Sequence, residues 1–406
     1  MINLTKKLSG ILVIFILFIP LSKSIIEAIT ITDRSQKEML FAYGMSIYQI
    51  TLFRQFCTIF VTSALFIILL TSLKKFNEVK FNYIQISILS IYFTYIVSMI
   101  SSSSYGALTG LLLSIAVLVY PSFIIGKALN TINIFAIGYI LLNVISIFLF
   151  PRFAIESDYT KGFLPFRFHG LSSHSNQLAP LLFFCVVWIN EIARANRSNI
   201  KNIIYLVLVA ISCVLIIISQ SKTIIGVMML YLAYKIYRLN SKYFFILFPM
   251  LITVIIYNLT TILGFVPDDI ETLTGRNVVW EHTINKWSQN KIFGVNTELW
   301  NAQSLAEFYS LYNWTPNQSH NQFFQTLGYA GIVGILALML FYFTSGKQLM
   351  KNSKNLNSVV NWLLICIFVR SITETPLTPD IYNEGFTIQF IILICLAART
   401  NTEKTV

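Results

Sequence analysis

Long apolar runs alternate with short polar connections along nearly all of the 406 residues. A helix that crosses a bilayer needs about 20 mostly apolar residues. The pattern therefore predicts an all-α integral membrane protein, a single polytopic domain over residues 1–406 with about twelve transmembrane helices. The predicted spans are 8–22, 55–73, 83–101, 107–125, 131–150, 176–192, 201–219, 222–237, 243–264, 323–345, 358–372 and 385–398. The apolar stretch 39–53, broken by Gly44, is interpreted as interfacial or re-entrant.

Composition narrows the class of protein further. The chain is 56% hydrophobic and only 11% charged, whereas soluble domains are roughly 45–50% apolar and about 25% charged. So few charges cannot cover so much apolar surface in water. This excludes an ordinary soluble enzyme, a disordered protein and a nucleic-acid-binding domain.

The net charge of +12 mainly encodes orientation. With twelve spans and a cytoplasmic N-terminus, the cytoplasmic segments hold 17 basic and 3 acidic residues, against 12 basic and 14 acidic residues on the other side. Cytoplasmic loops of membrane proteins carry an excess of Lys and Arg, so both termini are predicted to lie in the cytoplasm. No small-residue cleavage site follows Leu21, and the first span is expected to remain as an anchor.

Polar chemistry concentrates in three external places: the short turn 219–223, the loop 151–175, and the large loop 265–322 between spans nine and ten. A loop of almost sixty residues is uncommon unless it has a function or a fold of its own. These loops contain all the histidines, namely His169, His174, His282 and His320. Because histidine titrates near neutral pH, the acid/base candidates all lie on the external face.

His320 stands where the long loop enters span ten, followed by Asn321. A histidine at that place is able to abstract a proton from a sugar hydroxyl. An interfacial histidine that only forms hydrogen bonds is the alternative, and position alone favours it.

Two external cations are candidates for anion binding. Lys222 lies in the turn Ser219–Thr223 among hydroxyl side chains, so it is either a snorkelling anchor or part of an anion site. Arg276 opens a predicted helix, where an arginine beside free backbone N–H groups suits a phosphate; pairing with a nearby acidic residue (Asp268, Asp269 or Glu271) is the alternative. On that helix Trp280, Ile284 and Trp287 are expected to share one face, against the membrane or the helical body.

The remaining polar positions have more modest interpretations. Cations of the loop 151–175, Arg152 and Arg167 among them, could bind a lipid pyrophosphate, whereas the spacing of its histidines does not indicate zinc. Arg370 and Glu374, one helical turn apart, predict a structural salt bridge. The five cysteines all fall within predicted spans as apolar filler, and no metal site is predicted. Nucleotide-binding motifs are absent from the sequence, which favours a donor that is already activated and lipid-linked.

Four segments in this order and spacing resemble the O-antigen ligase / Wzy-type polymerase superfamily. They are Gly170–Ala179, Ser219–Thr223, Thr274–Trp280, and His320-Asn321 followed by the glycines at 328, 331 and 334. The motifs cover residues 160–345, and the rest of the chain agrees only in its pattern of spans.

The resemblance implies a glycosyltransferase of the bacterial inner membrane, with its active site facing the periplasm and no cofactor. Its donor would be an oligosaccharide on undecaprenyl pyrophosphate, transferred with inversion and without metal. His320 would be the general base, and Lys222 and Arg276 would bind the pyrophosphate. Further candidates for substrate binding are Arg152, Arg167, His169, His174, Asn176 and Asn321.

The Gly-Arg-x-x-x-Trp form at 275–280 and the Ser-Lys-Thr turn at 221–223 look more like the polymerases, which join lipid-linked repeat units and work beside membrane lipids and a chain-length regulator. The alternative is an O-antigen ligase that transfers the glycan to lipid A-core. A transporter of lipid-linked oligosaccharide is a remote alternative, because the predicted spans carry almost no charge at their centres.

Overall fold

A computed structural model describes residues 2–30, 48–72, 83–99, 121–157, 162–172, 174–195, 199–239, 276–312, 315–316, 318–351, 359–378 and 382–402. The predicted span 243–264, most of 107–125 and the loop segment 265–275 lie outside these residues. The described part of the chain is mostly helical.

Helices overlap the predicted spans wherever those fall in described residues. In chain order they are α1 Ile2–Thr30, α2 Tyr48–Ser72, α3 Tyr83–Met99, α4 Pro121–Leu149, α5 Pro151–Ala154, α6 Ser175–Ala195, α7 Asn199–Ile218, α8 Lys222–Leu239, α9 Arg276–Trp287, α10 Ala302–Tyr312, α11 Gln322–Lys351, α12 Val359–Thr373 and α13 Glu384–Thr402. A short 3-10 helix, Asn296–Trp300, lies between α9 and α10.

Five of the described helices are long and apolar enough to cross a membrane: Ile11–Thr30, Leu129–Leu149, Ser175–Arg194, Asn199–Ile218 and Gln322–Lys351. Shorter apolar helices occupy Tyr83–Ser98, Val359–Thr373 and Glu384–Leu396. The chain is thus a multi-pass membrane protein, while the total of twelve spans stays a prediction.

The helices differ in how much of their surface the protein covers. Helix α6 is mostly buried and packs against α4, α7, α8, α12 and α13. Helix α7 instead leaves apolar side chains such as Ile200, Ile203 and Leu206 more than half exposed. Contact between such an apolar face and water is unfavourable, so this face of α7 is suited to contact with lipid.

The loop after α4 departs from the all-α prediction. Strands β1 Ile155–Ser157 and β2 Phe166–Phe168 form a two-stranded antiparallel sheet in which Glu156 is paired with Arg167. Three-residue strands are too short to give a clear alternation of apolar and polar residues, so the sequence pattern did not reveal them. The sheet places Arg167 and His169 against the helical bundle, where both are buried.

Helix α11 is broken at Gly331, whose backbone adopts φ 60° and ψ −154°. A Cβ atom there would lie 2.3 Å from the carbonyl oxygen of Ile292, so the close approach requires glycine. The segment 291–295 supplies hydrogen bonds at the break; for example, Ile332 N donates to Lys291 O at 3.0 Å. Gly331 of the last sequence motif therefore allows the segment 291–295 to pack directly against the backbone of α11.

Candidate functional site

Several helix ends meet at one end of the bundle. The start of α8 contacts the end of α12, where the hydroxyl oxygens of Thr223 and Thr373 are 3.0 Å apart. The start of α11 joins the same place, where Asn321 Nδ2 donates to Ile372 O at 3.0 Å. Residues that are far apart in the chain thus share one polar region.

Glu374, directly after α12, is the centre of this region. Asn176 Nδ2 donates to its Oε1 at 2.6 Å, and Gln318 Nε2 donates to its Oε2 at 2.6 Å. His320 Nδ1 lies 3.6 Å from the same Oε2. We call Asn176, Gln318, His320 and Glu374 the Glu374 cluster. The Glu374 side chain is 6% exposed, so these contacts replace the hydration of its carboxylate.

Two buried arginines hold Asn176 in the cluster. Arg167 Nη2 donates to Asn176 Oδ1 at 3.1 Å and its Nε donates to Ser219 O at 3.1 Å. Arg370 Nη2 donates to Asn176 O at 2.9 Å. The predicted salt bridge between Arg370 and Glu374 is therefore wrong. Asn176, at the start of α6, contacts both residues: its carbonyl accepts from Arg370 and its side-chain amide donates to Glu374.

The electrostatics of the cluster favour an ionised carboxylate. Burial raises the pKa of Glu374, but the contact and charge of His320, followed by the charges of Arg370 and His174, more than offset burial and bring that pKa down to about 2. Glu374 is consequently a carboxylate throughout the physiological pH range.

His320 combines an unusual backbone with a partly accessible ring. Its φ of 49° lies in the left-handed region, which is uncommon for residues other than glycine. Asn321 caps α11 directly after it, since Asn321 Oδ1 accepts from Phe323 N at 2.9 Å. The His320 side chain is 27% exposed, and within the described residues its Nε2 has no hydrogen-bond partner. Strained backbone of this kind is often found at functional sites.

His169 has a different environment. Its side chain is 1% exposed, and its Nε2 lies 2.8 Å from Glu156 Oε2. Its Nδ1 accepts from Ser175 N at 3.1 Å. Both ring nitrogens are therefore engaged by the protein, and at these atoms His169 acts in structure.

Other predicted residues of the loop 151–175 vary in exposure. Arg152 is exposed at the start of α5. His174 is exposed as well; its ring packs edge-on against His169 with centroids 5.6 Å apart, and its Nδ1 accepts from Asn176 N at 3.2 Å. His174 thus borders the Glu374 cluster on the solvent side.

Lys222 is the first residue of α8 and is half-buried. Its neighbour Thr223 reaches Thr373, which directly precedes Glu374. Within the described residues the Lys222 ammonium has neither a hydrogen bond nor an ion pair. The turn preceding α8 is fixed by Gln220, whose φ is 53° and whose Oε1 accepts from Phe163 N at 2.8 Å.

Arg276, also half-buried, begins α9 as the structure describes it. One turn later, Trp280 Nε1 donates to Ser319 O at 2.8 Å and its ring stacks on Phe324 with centroids 5.0 Å apart. The helix that carries Arg276 is thereby attached beside His320. The acidic residues named above as alternative partners of Arg276, Asp268, Asp269 and Glu271, lie outside the described residues.

The predicted apolar face of α9 is confirmed only in part. Trp280 packs on the helical body, but Ile284 is 41% exposed and Trp287 Nε1 donates to the nearby Lys291 O. The buried positions of this helix are Val279 and Thr283.

Sequence reasoning missed Glu374 and Gln318 as members of the site. The position of Glu374 directly after an apolar helix could have indicated a site residue. The sequence instead predicted a salt bridge between Glu374 and Arg370. In the part of the chain that the structure describes, no group of three His, Cys, Asp or Glu side chains is arranged to hold a metal ion.

Comparison with known proteins bears on the second half of the chain. Residues 206–339 match a protein-family model, Wzy_C, that is described as O-antigen ligase. This range includes Lys222, Arg276 and His320. No curated protein matches the chain. The similarity to the O-antigen ligase and Wzy-type polymerase superfamily, predicted from four short motifs, is thus confirmed over residues 206–339.

Proposed function

We propose that the protein is a surface-polysaccharide polymerase that joins lipid-linked repeat units in the periplasm. It would transfer the growing glycan from undecaprenyl pyrophosphate by a metal-independent, inverting reaction. The observation that supports this is the position of His320, which has one ring nitrogen available, beside the helix starts that carry Lys222 and Arg276.

His320 is the general base of this proposal. Its Nε2 takes the proton of the acceptor hydroxyl, whose oxygen attacks the anomeric carbon of the donor. The new C–O bond forms on the face opposite the diphosphate, and the bond from the anomeric carbon to the phosphate oxygen breaks. The electron pair leaves with the lipid diphosphate, so the anomeric centre is inverted.

Lys222 and Arg276 stabilise the negative charge that develops on the diphosphate. Lys222 begins α8, where the macrodipole is positive and a cation is typically unfavourable by about 0.3–1 kcal/mol. An anion bound at that end would offset this repulsion and accept hydrogen bonds from the free backbone N–H groups. Placement of Lys222 there is thus better explained by ligand binding than by helix stability.

The loop 265–322 has a proposed role in protecting the donor from water. Helix α9 packs on α11 through Trp280 and Phe324, beside His320. Covering the reacting atoms in this way would exclude water, which would otherwise hydrolyse the activated donor.

An O-antigen ligase is the second candidate, because the matching family model carries that description. A ligase uses the same lipid-linked donor and differs in its acceptor, lipid A-core. A deletion strain separates the two functions. A single repeat unit left on the core indicates a polymerase, whereas polymer left on the carrier lipid indicates a ligase.

The test of the site uses complementation of a deletion strain at matched protein level in the membrane. We expect Lys222→Gln and Arg276→Gln to lose long-chain glycan. Lys286→Gln is the matched control, since Lys286 lies on the same helix as Arg276 but is paired with Glu307 at 2.9 Å. Wild-type glycan ladders in both Lys222→Gln and Arg276→Gln would refute the proposed site.

A further inference from the structure

We propose that Glu374 is a positioning residue for His320: its carboxylate holds the imidazole with a proton on Nδ1 and leaves Nε2 to accept the proton of the substrate. The inference rests on the proposed role of His320 as the general base. Neither the sequence motifs nor the matched family region includes Glu374.

The carboxylate of Glu374 is fixed on both oxygens. Oε1 accepts from Asn176 at 2.6 Å, and Oε2 accepts from Gln318 at 2.6 Å. Each donor is itself anchored, Asn176 by Arg167 at 3.1 Å and Gln318 by the hydroxyl of Thr375. A buried carboxylate held in this way cannot rotate freely, so its charge acts in a fixed direction.

That fixed charge selects one form of the imidazole. Neutral histidine has one N–H donor and one acceptor nitrogen. The Nδ1 of His320 lies 3.6 Å from Glu374 Oε2 and 3.5 Å from Gln318 Nε2, which already donates to that oxygen at 2.6 Å. The full charge of the carboxylate attracts a proton on Nδ1 more strongly than the neutral amide of Gln318 favours a lone pair there. The acceptor nitrogen is then Nε2, which is the state that a general base needs.

The loops that carry the two residues are also held together. Asn321 Nδ2 donates to Ile372 O at 3.0 Å, which ties the residue after His320 to the chain two residues before Glu374. The left-handed backbone of His320 lies between this tie and the buried Ser319. The distance between the imidazole and the carboxylate is therefore also restrained by the hydrogen bond between Asn321 and Ile372, and not only by the two side chains.

A second histidine in the same protein provides the matched control. His169 Nδ1 accepts a backbone N–H from Ser175 at 3.1 Å, so its proton must be on Nε2, which faces Glu156 at 2.8 Å. The two histidine–glutamate pairs thus predict opposite tautomers in one molecule.

The experiment is long-range ¹H–¹⁵N NMR of the full-length protein, labelled at histidine and kept in lipid nanodiscs at a pH where the imidazoles are neutral. The chain has only four histidines, and the signals of His320 are those that disappear in His320→Gln. We expect wild-type His320 to have a protonated Nδ1 and an unprotonated Nε2. In Glu374→Gln its population should shift toward a proton on Nε2, while Glu156→Gln should leave its signals unchanged.

Glycosyl transfer is measured in parallel. We expect Glu374→Gln to lower the rate by roughly 10²-fold or more, as loss of the correct tautomer does in other histidine bases, and Glu374→Asp, which keeps the charge, to retain more activity. A wild-type His320 protonated on Nε2 overturns the proposal without any variant having to fold, and so does an unchanged tautomer in folded Glu374→Gln. If the tautomers behave as expected but His320→Gln transfers glycan at the wild-type rate, the proposed function fails and the positioning role stands.

Discussion

Two histidine–glutamate pairs in the described part of the chain have inverted burial. In the pair of the loop 151–175, the imidazole of His169 is 1% exposed and the carboxylate of Glu156 is 34% exposed. In the pair at the start of α11, the imidazole of His320 is 27% exposed and the carboxylate of Glu374 is 6% exposed. The first pair buries its histidine and the second buries its glutamate.

This difference separates a structural histidine from one suited to chemistry. His169 uses both nitrogens within the protein, on Glu156 and on the backbone of Ser175. His320 directs one nitrogen toward a buried charge and keeps the other accessible. A general base must reach its substrate. A histidine close to a carboxylate is therefore a candidate only if one of its ring nitrogens is accessible.

The largest expected effect is the difference in glycosyl transfer between substitutions of the two histidines. His320→Gln should lower glycosyl transfer by roughly 10²–10⁴-fold, the usual contribution of a general base. His169→Gln should retain transfer per folded molecule, because its ring does not meet the substrate. Transfer by purified protein in nanodiscs, normalised to folded protein, checks both; equal losses would remove the distinction.

The two glutamates should contribute differently to the stability of the protein at low pH. The pKa of folded Glu374 is about 2, below the ordinary 4.5, so its ionised form stabilises the fold above pH 4.5. That stabilisation, on the order of 3 kcal/mol, should be lost as the pH falls from 4.5 toward 2. Thermal unfolding across this range should show a steep decline in wild type and in Glu156→Gln, but a shallower one in Glu374→Gln. Parallel curves for all three proteins would contradict the prediction.

A smaller effect concerns the stability that His169 provides. His169→Ala leaves the backbone N–H of Ser175 unpaired in a buried place, which should lower the free energy of unfolding by about 1–3 kcal/mol. His174→Ala should cost less, because the His174 side chain is exposed and water can replace its contact with Asn176 N. The midpoints of thermal unfolding test this order, and a larger loss in His174→Ala would reverse it.

The smallest effect is expected at Glu156. Its side chain is one-third exposed, and ion pairs in contact with solvent contribute about 0–1 kcal/mol. Glu156→Gln should therefore change both the unfolding midpoint and the rate of transfer only slightly. A loss of transfer as large as that of Glu374→Gln would show that the two pairs are equivalent after all.

The helices could be predicted well from sequence, and the polar connections less well. The runs 176–192 and 201–219 correspond to α6 and α7 within a few residues, because the apolar length that a bilayer requires is a local property. The strands β1 and β2 were missed, since three residues carry too little periodicity. The glycine at 331 was noticed as part of a motif, but its reason, contact with Ile292, is a tertiary one.

For the site, the sequence by itself determined the helical membrane architecture, the presence of histidine and cations in the polar connections, and the similarity of residues 206–339 to the O-antigen ligase family model. The tertiary structure decided which histidine keeps a nitrogen accessible, and it joined Asn176 to Glu374 across 198 residues of chain. Hydrophobic runs are encoded by neighbouring residues, whereas a hydrogen bond between distant side chains depends on how the helices pack. Glu374 could thus be recognised as the partner of His320 only once α6, α11 and α12 had been brought together.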